Sequence, residues 1–173
     1  MICYSDNASI AATCDRVFLA VKPYFMEDVL KAIQPQLAQK KPLLITMAAG
    51  LTMAQIETWA GCALPVIRIM PNTPVAVGKG MIQYCRNSLV ADDILADWLK
   101  DMADCGRLDP LEERLIDAAS ALSGSGPAYM YMFMEALAKT EERSRMEIHF
   151  SVLNSTYVPF VLQIIVPCRS VRY

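Results

Sequence analysis

Residues Leu122–Tyr129 read Leu-Ser-Gly-Ser-Gly-Pro-Ala-Tyr, two serines and two glycines between two helix-like runs. Pro127 opens the second run. The joint therefore leaves hydroxyls and backbone N–H groups unpaired at a helix N-terminus, a place that favours a polar or anionic ligand. A plain helix–turn–helix joint reads the same way. Three further segments sharpen the reading. In Met70-Pro71-Asn72-Thr73-Pro74, two prolines hold the chain so that Asn72 and Thr73 present donors and acceptors at little entropic cost. In Ala20-Val21-Lys22-Pro23, an ammonium stands beside a rigid turn, suited to ribose hydroxyls or phosphate. In Met47-Ala48-Ala49-Gly50, small residues let a flat ligand approach the backbone. Each has a plain alternative: a solvated turn lysine, a tight turn, a rigid loop. Their placement at successive strand ends points instead to one ligand crevice.

Those loops need strands that end together. Arg16–Val21, Leu43–Met47 and Pro65–Met70 are short apolar runs, predicted as buried strands. Helical spacing over Tyr24–Leu37, and over Met53–Ala60 behind a Thr52 N-cap, sets a helix between each pair. The alternation predicts an α/β fold with a parallel sheet covered on both faces. Ligands of such sheets lie beyond the carboxyl ends of the strands. Met81–Cys85 reads as a fourth strand and Ala91–Ala103 as a helix closed by Gly106. From Leu111 the pattern is helical, with Glu112–Leu122 and Pro127–Leu137 joined by the serine–glycine segment. This suggests an α/β part over 1–109, a helical part over 110–138 and a tail over 139–173.

Composition narrows the class. Of 173 residues, 54% are hydrophobic and 20% charged, which supports a packed core and excludes a disordered chain. The net charge of -2 offers no basic face for nucleic acid or a membrane surface. Six cysteines form no C-x-x-C pair, and His149 is the single histidine. No metal and no disulfide framework is expected, and reduced thiols fit a cytoplasmic setting. His149 reads as a surface residue rather than a catalyst. The start, MICYSDNASI, carries no leader-like pattern, and the apolar stretch Val158–Val166 is too short for a helix to span a bilayer.

Phe18–Pro23, Ala48–Gly50, Val66–Pro74 and Ala121–Tyr129, in this order and spacing, resemble pyrroline-5-carboxylate reductase. The resemblance covers about three quarters of the chain, from Ser5 to Ala138. It implies a Rossmann domain followed by the first helices of an all-α dimerisation domain. It also implies hydride transfer from NADPH (or NADH) to the C=N carbon of 1-pyrroline-5-carboxylate, giving L-proline, in a homo-oligomer. Matched residue by residue, Asn7, Ala20, Val21, Lys22, Pro23, Met47, Ala48 and Ala49 fall on the cofactor side. Asn72 and Thr73 fall between nicotinamide and substrate; Glu113 and Ser123, Gly124, Ser125, Gly126 and Pro127 fall on the substrate side. The resemblance gives Glu113 the task of favouring a cationic iminium by charge. An acid complementing a helix dipole is the plain alternative.

The chain also departs from the family pattern. It contains no G-x-G-x-x-G loop, so the resemblance places Met1–Tyr4 as a remnant of a third Rossmann strand and leaves Arg16–Val21 with an open apolar edge. Weak NADPH binding and negligible imine reduction are expected of such a chain. Beyond Ala138 no family pattern continues: the Ser-Pro-Gly-Gly-Thr-Thr segment of the substrate site and most dimer helices have no counterpart. Two alternatives stay open: a catalytically dead fragment acting only by association with a full-length subunit, and a related Rossmann reductase of another imine or hydroxy acid.

Overall fold

Helices cover both sides of the sheet, whose three central strands carry apolar side chains on both faces; five strands make it up. They are β1 (Arg16–Leu19), β2 (Leu43–Thr46), β3 (Val66–Pro71), β4 (Gly80–Arg86) and β5 (Gly106–Pro110), side by side in the order β1-β2-β3-β4-β5. A computed structural model describes residues 4–144. Its helices are α1 (Asn7–Thr13), α2 (Met26–Ala32), α3 (Gln34–Lys40), α4 (Met53–Ala60), α5 (Asp92–Met102), α6 (Glu113–Ser123) and α7 (Gly126–Ser144).

Each face of the sheet has its own core. On one, Leu19, Leu44, Val66 and Met70 meet Leu30, Leu37, Ile56 and Ile116 from α2, α3, α4 and α6. On the other, Ile45, Ile67, Ile69 and Ile82 meet Trp98 of α5. The Trp98 ring stands edge-on to Tyr84, centroids 5.4 Å apart. Arg16 of β1 pairs with Asp97 and Asp101 on that same α5.

The sheet is mixed where the sequence suggests a wholly parallel one. β1, β2 and β3 run parallel, but β4 runs antiparallel to β3. The link between them is a single 3₁₀ turn, Thr73–Val77, too short to carry the chain back for a parallel strand. β5 is a strand that the sequence does not predict. Its Gly106, taken as a helix terminator, opens a strand paired parallel to β4. Gly106 has φ +133° and lies so close to the Gly80 backbone that no side chain fits. The helix expected over 24–37 is two helices, broken at Ile33 just ahead of Pro35, which has no N–H to continue the ladder. Thr52 caps α4 as expected: its hydroxyl accepts the Gln55 N–H and the Gln55 side chain accepts the Thr52 N–H.

The chain forms two compact units, Met1–Gly126 and Pro127–Tyr173, so α6 belongs with the sheet. In the second unit, α7 exposes Tyr129, Met130, Tyr131, Met132 and Phe133. Residues 1–3 of the strand remnant expected over Met1–Tyr4, the tail from 145 and His149 lie outside the described residues. β1 is the edge strand of the described sheet, with Phe18 46% exposed.

Candidate functional site

Parallel pairing brings the ends of β1, β2 and β3 to one edge of the sheet. Neighbouring strands stand ~4.8 Å apart, so the three ends fall within about 10 Å of one another. Ala20, Lys22, Ala49 and Thr73 are exposed on this rim, while Ala48 is buried. Val21, Pro23 and Met47 are half-buried. The Ala48 N–H leans back on the Thr46 hydroxyl at 3.3 Å. The Lys22 carbonyl accepts the Phe25 N–H at 2.9 Å, which closes the turn begun by Pro23. Asn7 is the exposed first residue of α1, capped by the Asp6 carboxylate, which accepts the Ser9 N–H at 2.8 Å.

Asn72 is the hinge of the arrangement. It is buried, and its side chain has two partners: Oδ1 accepts the Met81 N–H at 2.8 Å, and Nδ2 donates to the Ser123 carbonyl at 3.0 Å. One amide thus ties the β3–β4 turn to the C-terminal end of α6. Ser123 adds a second tie, its hydroxyl donating to Gln83 Oε1 at 2.9 Å. Ser123, where α6 runs into the serine–glycine joint, is therefore held against the Asn72 loop. Gln83, a buried polar residue in the middle of β4, is a contributor that sequence reading missed.

Glu113 lies at the other end of α6 from Ser123. It begins α6 and Ser123 ends it, which separates them by ~15 Å along the helix axis. Glu113 Oε1 accepts the Met53 N–H at 2.6 Å, at the start of α4, and lies 3.6 Å from Arg68 Nη1. Arg68 Nη2 reaches Asp117 Oδ1 at 2.5 Å, and that carboxylate also accepts the Gly50 N–H at 3.4 Å. The carboxylate charge of Glu113 is thus engaged by a guanidinium that is 1% exposed. Neither Arg68 nor Asp117 was singled out from sequence, yet a signal existed. An arginine inside an apolar strand demands counter-charges, and Glu113 and Asp117 stand at i, i+4 on one helix face.

Cys85 lies opposite Arg68 in the β3–β4 ladder. Burial, and next the negative Glu113, push its thiol up to about 11. The folded state then holds the Cys85 proton more tightly than the unfolded chain, whose thiol titrates near 9.0, so this group's stabilisation is lost as pH rises from about 9 to about 11. Reactivity follows the thiolate. At pH 8, Cys85 should be labelled by a thiol reagent ~100-fold more slowly in the native than in the unfolded protein, as peptide mapping of the labelled chain would show.

Among the described residues no three His, Cys, Asp or Glu side chains are grouped to hold a metal. No described helix is long and apolar enough to cross a membrane.

A mixed sheet with helices on both faces and the ends of its parallel strands gathered at one edge defines a Rossmann-like α/β fold. Residues 1–50 match the family described as NADP oxidoreductase, coenzyme F420-dependent, and residues 113–148 the family described as pyrroline-5-carboxylate reductase dimerisation. The pyrroline-5-carboxylate reductase of Corynebacterium melassecola is 39% identical over 135 residues, 77% of this chain and 50% of that protein. That of Escherichia coli (strain K12) is 39% identical over 129 residues, 75% of this chain and 48% of that protein. The crystal structure of a Plasmodium falciparum pyrroline carboxylate reductase with NADP bound aligns with a TM-score of 0.77 at 34% identity, covering 83% of this chain and 54% of that one. Over about three quarters of its length, then, the chain is similar to the pyrroline-5-carboxylate reductases. It spans about half the length of the curated relatives it matches.

Proposed function

We propose that this chain carries part of the site of an NAD(P)H-dependent reductase that converts 1-pyrroline-5-carboxylate to L-proline, in the cytoplasm and as a homo-oligomer. The kinship with reductases of that name supports the reading. The observation that carries it is the Asn72 bridge, which holds the strand-end loop against the serine–glycine joint.

The rim suits a nicotinamide dinucleotide. Ala48, Ala49 and Gly50 leave the end of β2 without bulky side chains, and nothing lies within 4 Å of where a Gly50 Cβ would stand. The exposed Lys22 offers an ammonium to ribose or phosphate. When bound, the cofactor supplies the hydride. The protein's part is to hold ring and cofactor face to face and to keep water out. Asn72 sets the gap between the strand ends and the joint. By the family resemblance, Thr73, Ser123, Gly124, Ser125 and Gly126 are assigned to the substrate side of that gap. Asn7, Ala20, Val21, Pro23 and Met47 complete the cofactor side. Glu113, with its charge engaged by Arg68, acts in this reading through position rather than by touching the imine.

Proton–nitrogen NMR of the chain tests this directly. With no G-x-G-x-x-G loop to cradle the pyrophosphate, each ~1.4 kcal/mol of lost contact weakens binding about tenfold, so NADPH is titrated to millimolar concentration. Shifts are expected at Ala20–Lys22 and Ala48–Gly50, then at Thr73, Ser125 and Gly126 when pyrroline-5-carboxylate is added. Shifts confined to other surfaces would overturn the reading. The exposed apolar residues of α7 favour a second role, association with another subunit through that helix.

A further inference from the structure

We propose that Arg68 is a positioning residue. From inside the sheet it locks three ligand-facing segments in mutual register: the loop after β2, the strand leading into Asn72, and the helix leading into the serine–glycine joint. The inference deepens the proposed function and rests on it for the meaning of those segments. Its geometry stands independently.

Arg68 sits mid-strand in β3 with its side chain 1% exposed. A charge so buried is costly unless partnered, and its partners are specific. Both carboxylates come from one face of α6, Glu113 and Asp117. Each carboxylate also accepts a backbone N–H from the segment after β2: Glu113 from Met53 at 2.6 Å, Asp117 from Gly50 at 3.4 Å. The two acids thus bridge the guanidinium to the loop that carries Ala48 and Ala49. Four residues on from Arg68, just past the end of β3, stands Asn72, and six residues along α6 from Asp117 stands Ser123; the two are joined by the 3.0 Å hydrogen bond. Strand β3 and helix α6 are consequently pinned twice, once by ions and once by an amide, and the β2 loop hangs on the ionic pin. A planar fork with two donor ends suits two separated carboxylates, a geometry a lysine cannot copy.

Native-state amide exchange and side-chain NMR of the chain test the proposal without any ligand, so they can fail while the NADPH titration succeeds, and the reverse. In Arg68→Met, which keeps the volume and removes the charge, Met53 N–H exchange should rise about tenfold or more, while Ile45 and Ile67 in the sheet keep theirs. The Asn72 side-chain amide resonances should move, although Asn72 touches neither carboxylate. Arg68→Lys should restore part of the Met53 protection by supplying charge without the fork. A uniform rise in exchange across sheet and loop would make Arg68 a stability residue only and overturn the proposal; so would unchanged Met53 exchange with unmoved Asn72 resonances. If Arg68→Met does not fold, Asp117→Ala, at an exposed position, decides in its place: the Met53 and Asn72 signals should shift together, and a change confined to Gly50 would refute the three-way coupling.

Discussion

Replacing Glu113 by Gln and Asp117 by Asn together should lower the unfolding free energy by about 2–3 kcal/mol, whereas Arg68→Met should cost less than ~1.5 kcal/mol. The asymmetry follows from which partner is left behind. The double change strands a guanidinium that is 1% exposed, and an uncompensated buried charge is the expensive case. Fully buried pairs lose about 3–5 kcal/mol when one partner is removed. The smaller figure here reflects the Asp117 side chain at 56% exposure, which lets water reach the cluster. Arg68→Met removes the cation and leaves two acids that can turn toward solvent, and a methionine refills much of the space. Urea denaturation of the three proteins ranks them. A double variant more stable than Arg68→Met would show that the ions are not the element holding α6 on the sheet.

Asn72→Ala is expected to destabilise by about 2–3 kcal/mol, because it removes the acceptor of a buried N–H and the donor to a carbonyl in a single step. Met81 is 8% exposed, so its N–H cannot readily find water instead. Asn72→Asp separates the two bonds. The new carboxyl still accepts the Met81 N–H, but when ionised it faces the Ser123 carbonyl with no proton to give. Its folded-state pKa is therefore raised above the ordinary value of about 3.9. The folded protein binds that proton more tightly, so stability is retained below about pH 4 and lost as pH climbs through the folded pKa. Denaturation of Asn72→Asp at pH 4 and pH 8 should show the larger deficit at pH 8. An equal deficit at both would mean that the Asn72–Ser123 bond contributes little.

These two sites show how much was legible in advance. The strands β1, β2 and β3, the α4 helix and its Thr52 cap were readable because their signals are local: short apolar runs, a capping residue, punctuation by glycine and proline. The convergence of Asn72 with Ser123 was suggested by motif and spacing, and the sheet accounts for it. The reversal of β4 was not legible, since an apolar strand has the same composition in either direction; only the shortness of the Thr73–Val77 turn carried the information. β5 was hidden because Gly-Arg-Leu-Asp-Pro has neither alternation nor an apolar run, and it exists through its pairing with β4.

By itself the order of residues determined the alternation of strands and helices, and the chemistry offered at each strand end: an amide and a hydroxyl after β3, an ammonium after β1, small side chains after β2. Only the tertiary structure decided that Glu113 answers a buried arginine, and that Asn72 bridges two elements. Hydrophobic period and capping act over a few neighbouring residues. Ion pairs and amide bridges depend on distances through space between positions 49 and 51 apart along the chain, which no local pattern encodes.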